Sequence, residues 1–566
     1  MKKLLCFVVA AAMAAGCAGS KMDSFPAGGS KDPGIRDFAE AYVKAHKGNR
    51  LVDDAGRTLK SGGPLDGIDF VLDEGNGFLS LEYYESAFIL RLEMCEWMLK
   101  EGGKRFGVKL LDVNEEEMPV LGLAFYDFDA GAGRFREVEV KGQQEMLERL
   151  DLWDGNEDLF LPREGKDIRW GRNNNDEAIG WYRLQEDGSF RLEVADLYVC
   201  AYVWPSCHDD PLAHKWLWPE GIGEWEVIQK GDKRFPEHYQ PKQPLWGYEL
   251  DNDPVVVEKW IQTALEYGVN TFIYDWYWFS DPDGYKGPYL ESALNDGFLK
   301  APSHDKMHFY VMWANHDVVY NYWNYHKWGD KRALLFSPDV DWANYRKVVK
   351  RLITQYFPLP EYVKIDDCPV LSIFSMDNFI RSFGSMDEAA KAIQYFREEV
   401  RKAGFPDLHL QETRGGGSRM GEEAIARMQE RIEKLGIDSE AMYNMGGINE
   451  DYLLYGEEAL QIRAQMDEVF DVPVFPCVSI GWDDTPRYPA KGIKDVVHLN
   501  NTPEAFAGFL AQAKKFVEQH AADQPHFMMI NAWNEWVEGS YLLPDQVNGF
   551  GYLQAVRDVL DGKYDD

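Results

Sequence analysis

Asp253-Pro-Val-Val-Val-Glu-Lys-Trp-Ile-Gln-Thr-Ala-Leu-Glu-Tyr-Gly268 runs directly into Val269-Asn-Thr-Phe-Ile-Tyr-Asp275. The first part carries the punctuation of an amphipathic helix. Asp253 is a good N-cap, and Pro254 suits the first helical position, where its missing N–H costs nothing. Val257, Trp260, Ile261, Ala264 and Leu265 fall on one face, and Gly268 ends the helix. The second part, residues 270–275, is a short apolar run without alternation, as a strand covered on both faces requires. A helix feeding such a strand is the repeating unit of a parallel sheet.

The unit recurs on both sides of this stretch. Eight strand-like runs are found, at residues 197–203, 270–275, 307–313, 369–374, 408–412, 441–444, 472–478 and 526–531, alternating with amphipathic helices. One of those helices opens with Ser385 and Glu388 at capping-box spacing and closes at Gly404. Eight β/α units predict a closed α/β architecture, a (β/α)8 TIM barrel, over residues 195–566. A doubly wound open sheet is the alternative, but no Gly-rich fingerprint follows the first strand, so a dinucleotide cofactor is not implied. Residues 38–194 have another texture: short β-type runs such as Arg105-Phe-Gly-Val-Lys-Leu-Leu and Pro119-Val-Leu-Gly-Leu-Ala-Phe, broken by Asp129-Ala-Gly-Ala-Gly and Asn173-Asn-Asn-Asp. That spacing predicts a smaller all-β domain, sandwich-like or jelly-roll-like.

Among the 566 residues, 45% are hydrophobic and 27% charged, the mix of an ordered globular protein. Lys+Arg minus Asp+Glu is 60 − 95 = −35, a surface that repels phosphate and excludes a general nucleic-acid binder. Aromatic residues reach 14%, which suits a protein that lays flat faces against ligands carrying both C–H and O–H groups. At the N-terminus Lys2 and Lys3 precede an apolar run from Leu4 to Ala15, too short to span a bilayer, followed by Gly16 and Cys17. Ala14-Ala-Gly-Cys17 resembles a bacterial lipobox, which implies cleavage before Cys17, lipidation of its thiol, export, and anchoring to a bacterial membrane, at the outer membrane or cell surface. Residues 18–37 read as a flexible tether. Beyond Cys6 and Cys17 the cysteines are Cys95, Cys200, Cys207, Cys368 and Cys477. Their odd number and the lack of C-x-x-C spacing give neither a disulfide framework nor a zinc site, and no metal is implied.

In a barrel of this kind, chemistry is built at the C-terminal ends of the strands. Tyr202 and Trp204 end the first run, Asp275 the second, Trp313 and Asn315 the third, Glu412 the fifth and Asn444 the sixth. Trp482, Asp483 and Arg487 follow the seventh, and Trp533-Asn534-Glu535-Trp536-Val537-Glu538-Gly539 the eighth. Acids and aromatic rings on one rim point to a glycan site: rings stack on sugar faces, and carboxylates bind hydroxyls or exchange protons. Trp204, Trp313 and Trp482 are candidate stacking platforms. Asp275, Asn315, Glu412 and Asp483 are candidate hydroxyl ligands, with Tyr202, Asn444 and Asn534 beside them, and Arg487 is placed to meet an acidic group on the glycan. Glu535 and Glu538 share one face if helical, or flank a small ligand if they lie in a tight turn. Glycoside cleavage needs such a pair; two ordinary acids opening the final helix would look the same by spacing alone.

Asn531-Ala-Trp-Asn-Glu-Trp-Val-Glu-Gly539, with Leu543-Pro-Asp545 and Gly549-Phe-Gly-Tyr552, resembles the terminal signature of glycoside hydrolase family 99-like proteins, in the branch called WbsX-like. His238-Tyr-Gln-Pro241, Gly268-Val-Asn-Thr-Phe-Ile-Tyr-Asp-Trp-Tyr-Trp-Phe279 and Phe475-Pro-Cys-Val-Ser-Ile-Gly-Trp-Asp-Asp-Thr-Pro-Arg487 fit the same branch. The resemblance covers the chain from about Ala195 onward. It implies a barrel that cleaves glycans with retention and without a cofactor. It further implies that Glu535 is the base that takes the proton of the sugar's 2-hydroxyl, which attacks C1, and that Glu538 is the acid and then the base. The family's characterised hydrolases act on α-mannosides and carry His where this chain has Val537, so the resemblance carries over the two acids and not the sugar. A WbsX-like glycosyltransferase and a non-catalytic glycan-binding lipoprotein are the rival readings. A transferase would need an activated donor, which the export signal argues against.

Overall fold

The computed structural model describes residues 24–45, 68–85, 88–114, 117–151, 157–172, 178–447, 449–488 and 497–564. The signal segment and Cys17 lie outside the described residues. The chain divides into two compact units, Met1–Ala195 and Asp196–Asp566.

The first unit holds two antiparallel sheets. Seven strands, Ser24–Pro26, Arg134–Val138, Glu117–Asp129, Lys104–Asn114, Phe88–Met98, Phe78–Glu85 and Ile68–Asp73, lie side by side in that order. Four more, from Glu157–Phe160 to Phe190–Val194, form a second meander. On one face of the larger sheet the helix Ile35–Ala45 stacks Phe38 on Phe106, ring centroids 4.6 Å apart. On the other face Trp97 and Phe125 meet Phe190 of the smaller sheet, at 5.5 and 5.3 Å. Between the sheets the buried Lys109 ammonium pairs with Asp158 at 2.5 Å, so neither charge is left uncompensated. This is a sandwich with helices added. The stretch read as a tether is structured from Ser24: Ser24–Pro26 pairs with Arg134–Arg136, and Phe25 and Ile35 are buried. The burial of Phe25 among Phe38, Tyr126 and Phe135 outweighs the Gly- and Pro-rich composition around it.

The second unit is the barrel. Its strands are β1 (Tyr198–Val203), β2 (Thr271–Ser280), β3 (His308–Trp313), β4 (Cys368–Ile373), β5 (His409–Arg414), β6 (Ser439–Met442), β7 in two pieces (Val474–Phe475 and Cys477–Ser479) and β8 (Phe527–Asn531). Parallel pairing runs in sequence from β1 to the first piece of β7, while β8 joins β1 to the second piece, which closes the ring. β7 is divided at Pro476, which has no N–H to give to the ladder; its carbonyl still accepts from the Met529 N–H at 2.9 Å.

The helix Pro254–Glu266 forms as its sequence requires. The Asp253 side chain accepts from the Val255 N–H, and Val256, Val257, Trp260, Ile261 and Ala264 are buried. Gly268 follows at φ +91°, where a side chain would be strained and would also meet Leu560 at 2.4 Å. Ser385 caps the helix Met386–Lys402 through the Glu388 N–H. β6 starts and ends two residues earlier than its apolar pattern indicates, because Glu440 is buried outside the barrel rather than in a loop. Tyr443 and Asn444 are thereby released from the strand onto the rim.

Candidate active site

The chain after β8 does not open a helix. Asn534–Glu535 and Ser540–Tyr541 pair as a short hairpin around a single 3₁₀ turn, Trp536–Glu538. The Ser540 hydroxyl donates to the Asn531 carbonyl at 2.6 Å, and the Leu542 N–H to the Ala532 carbonyl at 2.9 Å, tying the hairpin to the strand end. Trp536 stacks on Tyr541 at 3.8 Å, and Trp533 packs on Phe272 at 5.0 Å. These two tryptophans anchor the hairpin from behind, while Glu535 and Glu538 face a cleft of about 280 Å3.

The Glu535 carboxylate accepts the Tyr443 hydroxyl at 2.6 Å, and the same hydroxyl lies 3.2 Å from Asp275. One hydroxyl has one proton. If Tyr443 donates to Glu535, then Asp275 must supply the proton of the second contact. Burial, with the Glu538 charge adding to it against the Tyr443 bond, holds the Asp275 carboxyl well above the usual range. Burial also raises Glu535, followed by the charges of Glu538 and Asp275. The Asp275 Oδ1 has no protein partner, and Asp275 lines the cleft. On the other side of the pair, Arg487 donates to Glu538 at 2.6 Å, with the Tyr322 hydroxyl at 3.4 Å. His316 lies in the wall, its pKa pushed down to about 4 by burial, so its ring is neutral.

The expected residues divide cleanly. Trp204, Asp275, Asn444, Trp482 and Arg487 line the cleft with Glu535 and Glu538. Six others do not. Trp313 is 1% exposed and packs outward, stacked on Tyr345 of the surrounding helix Trp342–Gln355. Strand alternation explains this: Met312, Ala314 and His316 share the inward face, and Trp313 and Asn315 do not. Asn315 instead clasps Ser375, bonding both its backbone N–H and its carbonyl at 2.8 Å. Glu412 likewise points outward, to Arg431 at 2.9 Å, while Gln411 and Thr413 face into the barrel. Tyr202 lies beneath the cleft, its hydroxyl donating to the Met442 carbonyl at 3.2 Å.

Asp483 is a structural acid. It accepts from His238 at 2.9 Å and Gln240 at 2.7 Å, with Lys242 at 3.2 Å. Burial opposes its charge, but Lys242 and His238 hold its carboxyl below the usual range. Its backbone N–H donates to the Glu538 carbonyl at 2.7 Å, which ties it to the hairpin. Asn534 clamps the Trp204 backbone through two bonds of 2.8 Å. Arg487, expected to meet an acidic sugar, already lies between the carboxylates of Glu538 and Glu224.

A family model described as Glycosyltransferase WbsX matches residues 199–556. The chain belongs to this family. The WbsX match spans the barrel unit, cleft included. Two curated relatives, both an uncharacterized protein WxcX from strains of Xanthomonas campestris pv. campestris, are 24% identical over 384 residues, 65% of this chain. The chain spans about half the length of the curated relatives it matches, 50%. Among solved structures, the GH99 endo-alpha-mannosidase from Bacteroides thetaiotaomicron in complex with bis-tris-propane is similar at 13% identity and a TM-score of 0.42, covering 65% of this chain and 98% of that one. A glycoside hydrolase-like protein matches at 13% identity and 0.42, over 64% and 94%.

Tyr322, Trp323 and Phe374 of this WbsX-family cleft were not expected from sequence, whereas Tyr277, His316 and Tyr443 follow the second, third and sixth strand-like runs on the rim without having been named as ligands. For Tyr277 and His316 the signal is present, since each lies two or four residues from an inward-facing strand position. Tyr322 and Trp323 come from the long connection after β3, where the sequence offers only an aromatic-rich loop. Glu224 was also missed. It accepts from the Trp204 indole at 2.6 Å and the Ser206 hydroxyl at 3.1 Å behind the wall.

Proposed function

We propose that this chain is a retaining glycoside hydrolase acting on a complex glycan, exported and anchored through a lipid on Cys17. The carrying observation is the convergence of Glu535, Glu538 and Asp275 on one cleft walled by Trp204, Tyr277, Trp323 and Trp482. Aromatic faces hold the apolar side of a sugar ring, and acids reach its hydroxyls and its glycosidic oxygen. Glu535 is the base to the sugar's 2-hydroxyl. Burial raises its proton affinity, and a stronger base is what removing a proton from an alcohol demands. The 2-oxygen then attacks C1 of its own ring, an intramolecular step that gains high effective molarity and needs no enzyme nucleophile. Glu538 gives its proton to the departing oxygen and afterwards takes one from the water that attacks C1, while Glu535 returns its proton to the 2-oxygen as the C1–O2 bond breaks. Tyr443 holds Glu535 in place through its hydrogen bond.

The family's description as Glycosyltransferase WbsX favours a second reading, a glycosyltransferase. One experiment separates the two. Purified chain is incubated with a polysaccharide panel, with and without nucleotide-linked sugars, and released reducing ends are measured. Hydrolysis without donor supports the hydrolase, and donor-dependent extension replaces it with the transferase. Glu538→Gln should lower kcat by ~10²–10⁴-fold, the usual worth of a general acid, and leave glycan affinity largely intact. Unchanged turnover in that variant would remove Glu538 from the mechanism.

A further inference from the structure

Arg487 poses a problem for the chemistry assigned to Glu538. A general acid must hold a proton when the sugar arrives, and the Arg487 guanidinium stands 2.6 Å from the Glu538 carboxyl. Tyr277, Tyr443 and His316 line the cleft around Glu538. Arg487 and the Tyr322 hydroxyl approach its carboxyl, the acids Glu535 and Asp275 share its cleft, and its backbone carbonyl is held by Asp483. Beyond Arg487, on the far side of the same guanidinium, stands Glu224.

Glu224 is fully buried, at 0% exposure. One of its oxygens accepts from Trp204 and Ser206. The other has no hydrogen-bond partner, and neither does the Arg487 Nε, yet the two lie 3.5 Å apart. Burial raises the proton affinity of Glu224 above the usual range, with the Glu538 charge adding to it, while the Arg487 cation and the donors Trp204 and Ser206 act against that and favour the carboxylate. A buried cation between two buried carboxylates divides its field between them.

We propose that Glu224 is a positioning residue that shares the Arg487 cation with Glu538, and so leaves Glu538 able to take up the proton it must deliver. Glu224 touches no substrate; it acts through Arg487 and, by its bond to the Trp204 indole, sets one wall of the cleft. The consequence for catalysis rests on the hydrolase reading above. The charge relationship itself does not.

The test therefore reads the proton on Glu538 without a substrate. Diazoacetamide esterifies protonated carboxyls, and peptide mass spectrometry of the full chain gives the extent of modification at Glu538 between about pH 4 and 8. Glu224→Gln keeps an acceptor for Trp204 and Ser206 but removes the charge, so Arg487 turns wholly to Glu538. The modification midpoint should move down by about one pH unit, a tenfold change in proton occupancy. Glu224→Asp, which keeps the charge, should stay near the wild-type midpoint. An unmoved midpoint in a folded Glu224→Gln chain overturns the proposal, as does a wild-type Glu538 that is never esterified. On a cleaved glycan, Glu224→Gln should lower kcat about tenfold to a hundredfold with KM changed less than about threefold. Failure of wild-type chain to cleave any glycan would overturn the hydrolase reading while leaving the midpoint result standing.

Discussion

Glu535, like Asp275, carries an uncomfortable charge in the cleft, and stability should register it. Its carboxyl is 4% exposed and lies with Asp275 and Glu538 in one site. Its folded pKa stands well above the ordinary 4.5, through burial first and the neighbouring acids second. Below about pH 4.5 neither folded nor unfolded chain ionises it, and it costs nothing. As pH rises past that point the unfolded chain releases its proton first, so the folded state loses stability until the raised value is passed. Glu535→Gln removes this loss. Its melting temperature should match wild type near pH 4 and exceed it by a few degrees at pH 8, while turnover disappears; equal melting curves at both pH values would contradict the assigned protonation. Tyr443→Phe tests the neighbouring bond. It should lower kcat about tenfold and leave the fold intact, because the ring packing on Tyr202 and Phe374 remains.

At the scale of elements, the hairpin after β8 and the alternation of the strands decide what reaches the ligand. Gly539 ends the 3₁₀ turn at φ +68°, and a Cβ there would lie 2.8 Å from the Asp483 Cβ. Gly539→Ala pays ~1–2 kcal/mol in backbone alone and must push the Asp483 loop away. It should therefore lower both the melting temperature and kcat, measured by calorimetry and by reducing-end release. Trp313 and Trp482 separate packing from binding. Trp313 lies among Trp276, Tyr345 and Phe379, so Trp313→Phe should lower the melting temperature and leave glycan affinity unchanged. Trp482 lines the cleft, so Trp482→Ala should weaken glycan binding about tenfold, ~1.4 kcal/mol, with little effect on melting. Calorimetric titration of both variants with one glycan checks the pair.

At the scale of the molecule, the net charge of −35 and the lipobox-like Ala14-Ala-Gly-Cys17 bear on where the protein works. Cys17→Ser should move the protein from the membrane fraction to the soluble fraction of the exporting cell, and continued membrane association would end the anchor proposal. Most of the strands were legible because a strand buried on both faces is written mainly in apolar residues, with β5 and β6, which carry Gln411, Glu412, Thr413 and Glu440, as the exceptions; the helices between them were legible because caps and period are local properties. The two glutamates were legible for a related reason: they lie on one short hairpin, so their spacing in sequence is their spacing in space. Asn534, Asp483 and Glu412 carry the same chemical groups as true ligands, and nothing local distinguishes a carboxylate aimed at a sugar from one aimed at His238 or Arg431. Trp313 and His316 differ by their position on an alternating strand, which depends on where its register begins. Composition and local pattern thus indicated the barrel, and the resemblance carried by residues 531–539 singled out the pair of acids that spacing alone left open. Only the folded chain decided that Arg487 serves Glu538 and Glu224, that Tyr443 joins Glu535 to Asp275, and which rings form the walls, because those contacts join residues from different strands whose separation is set by closure of the ring.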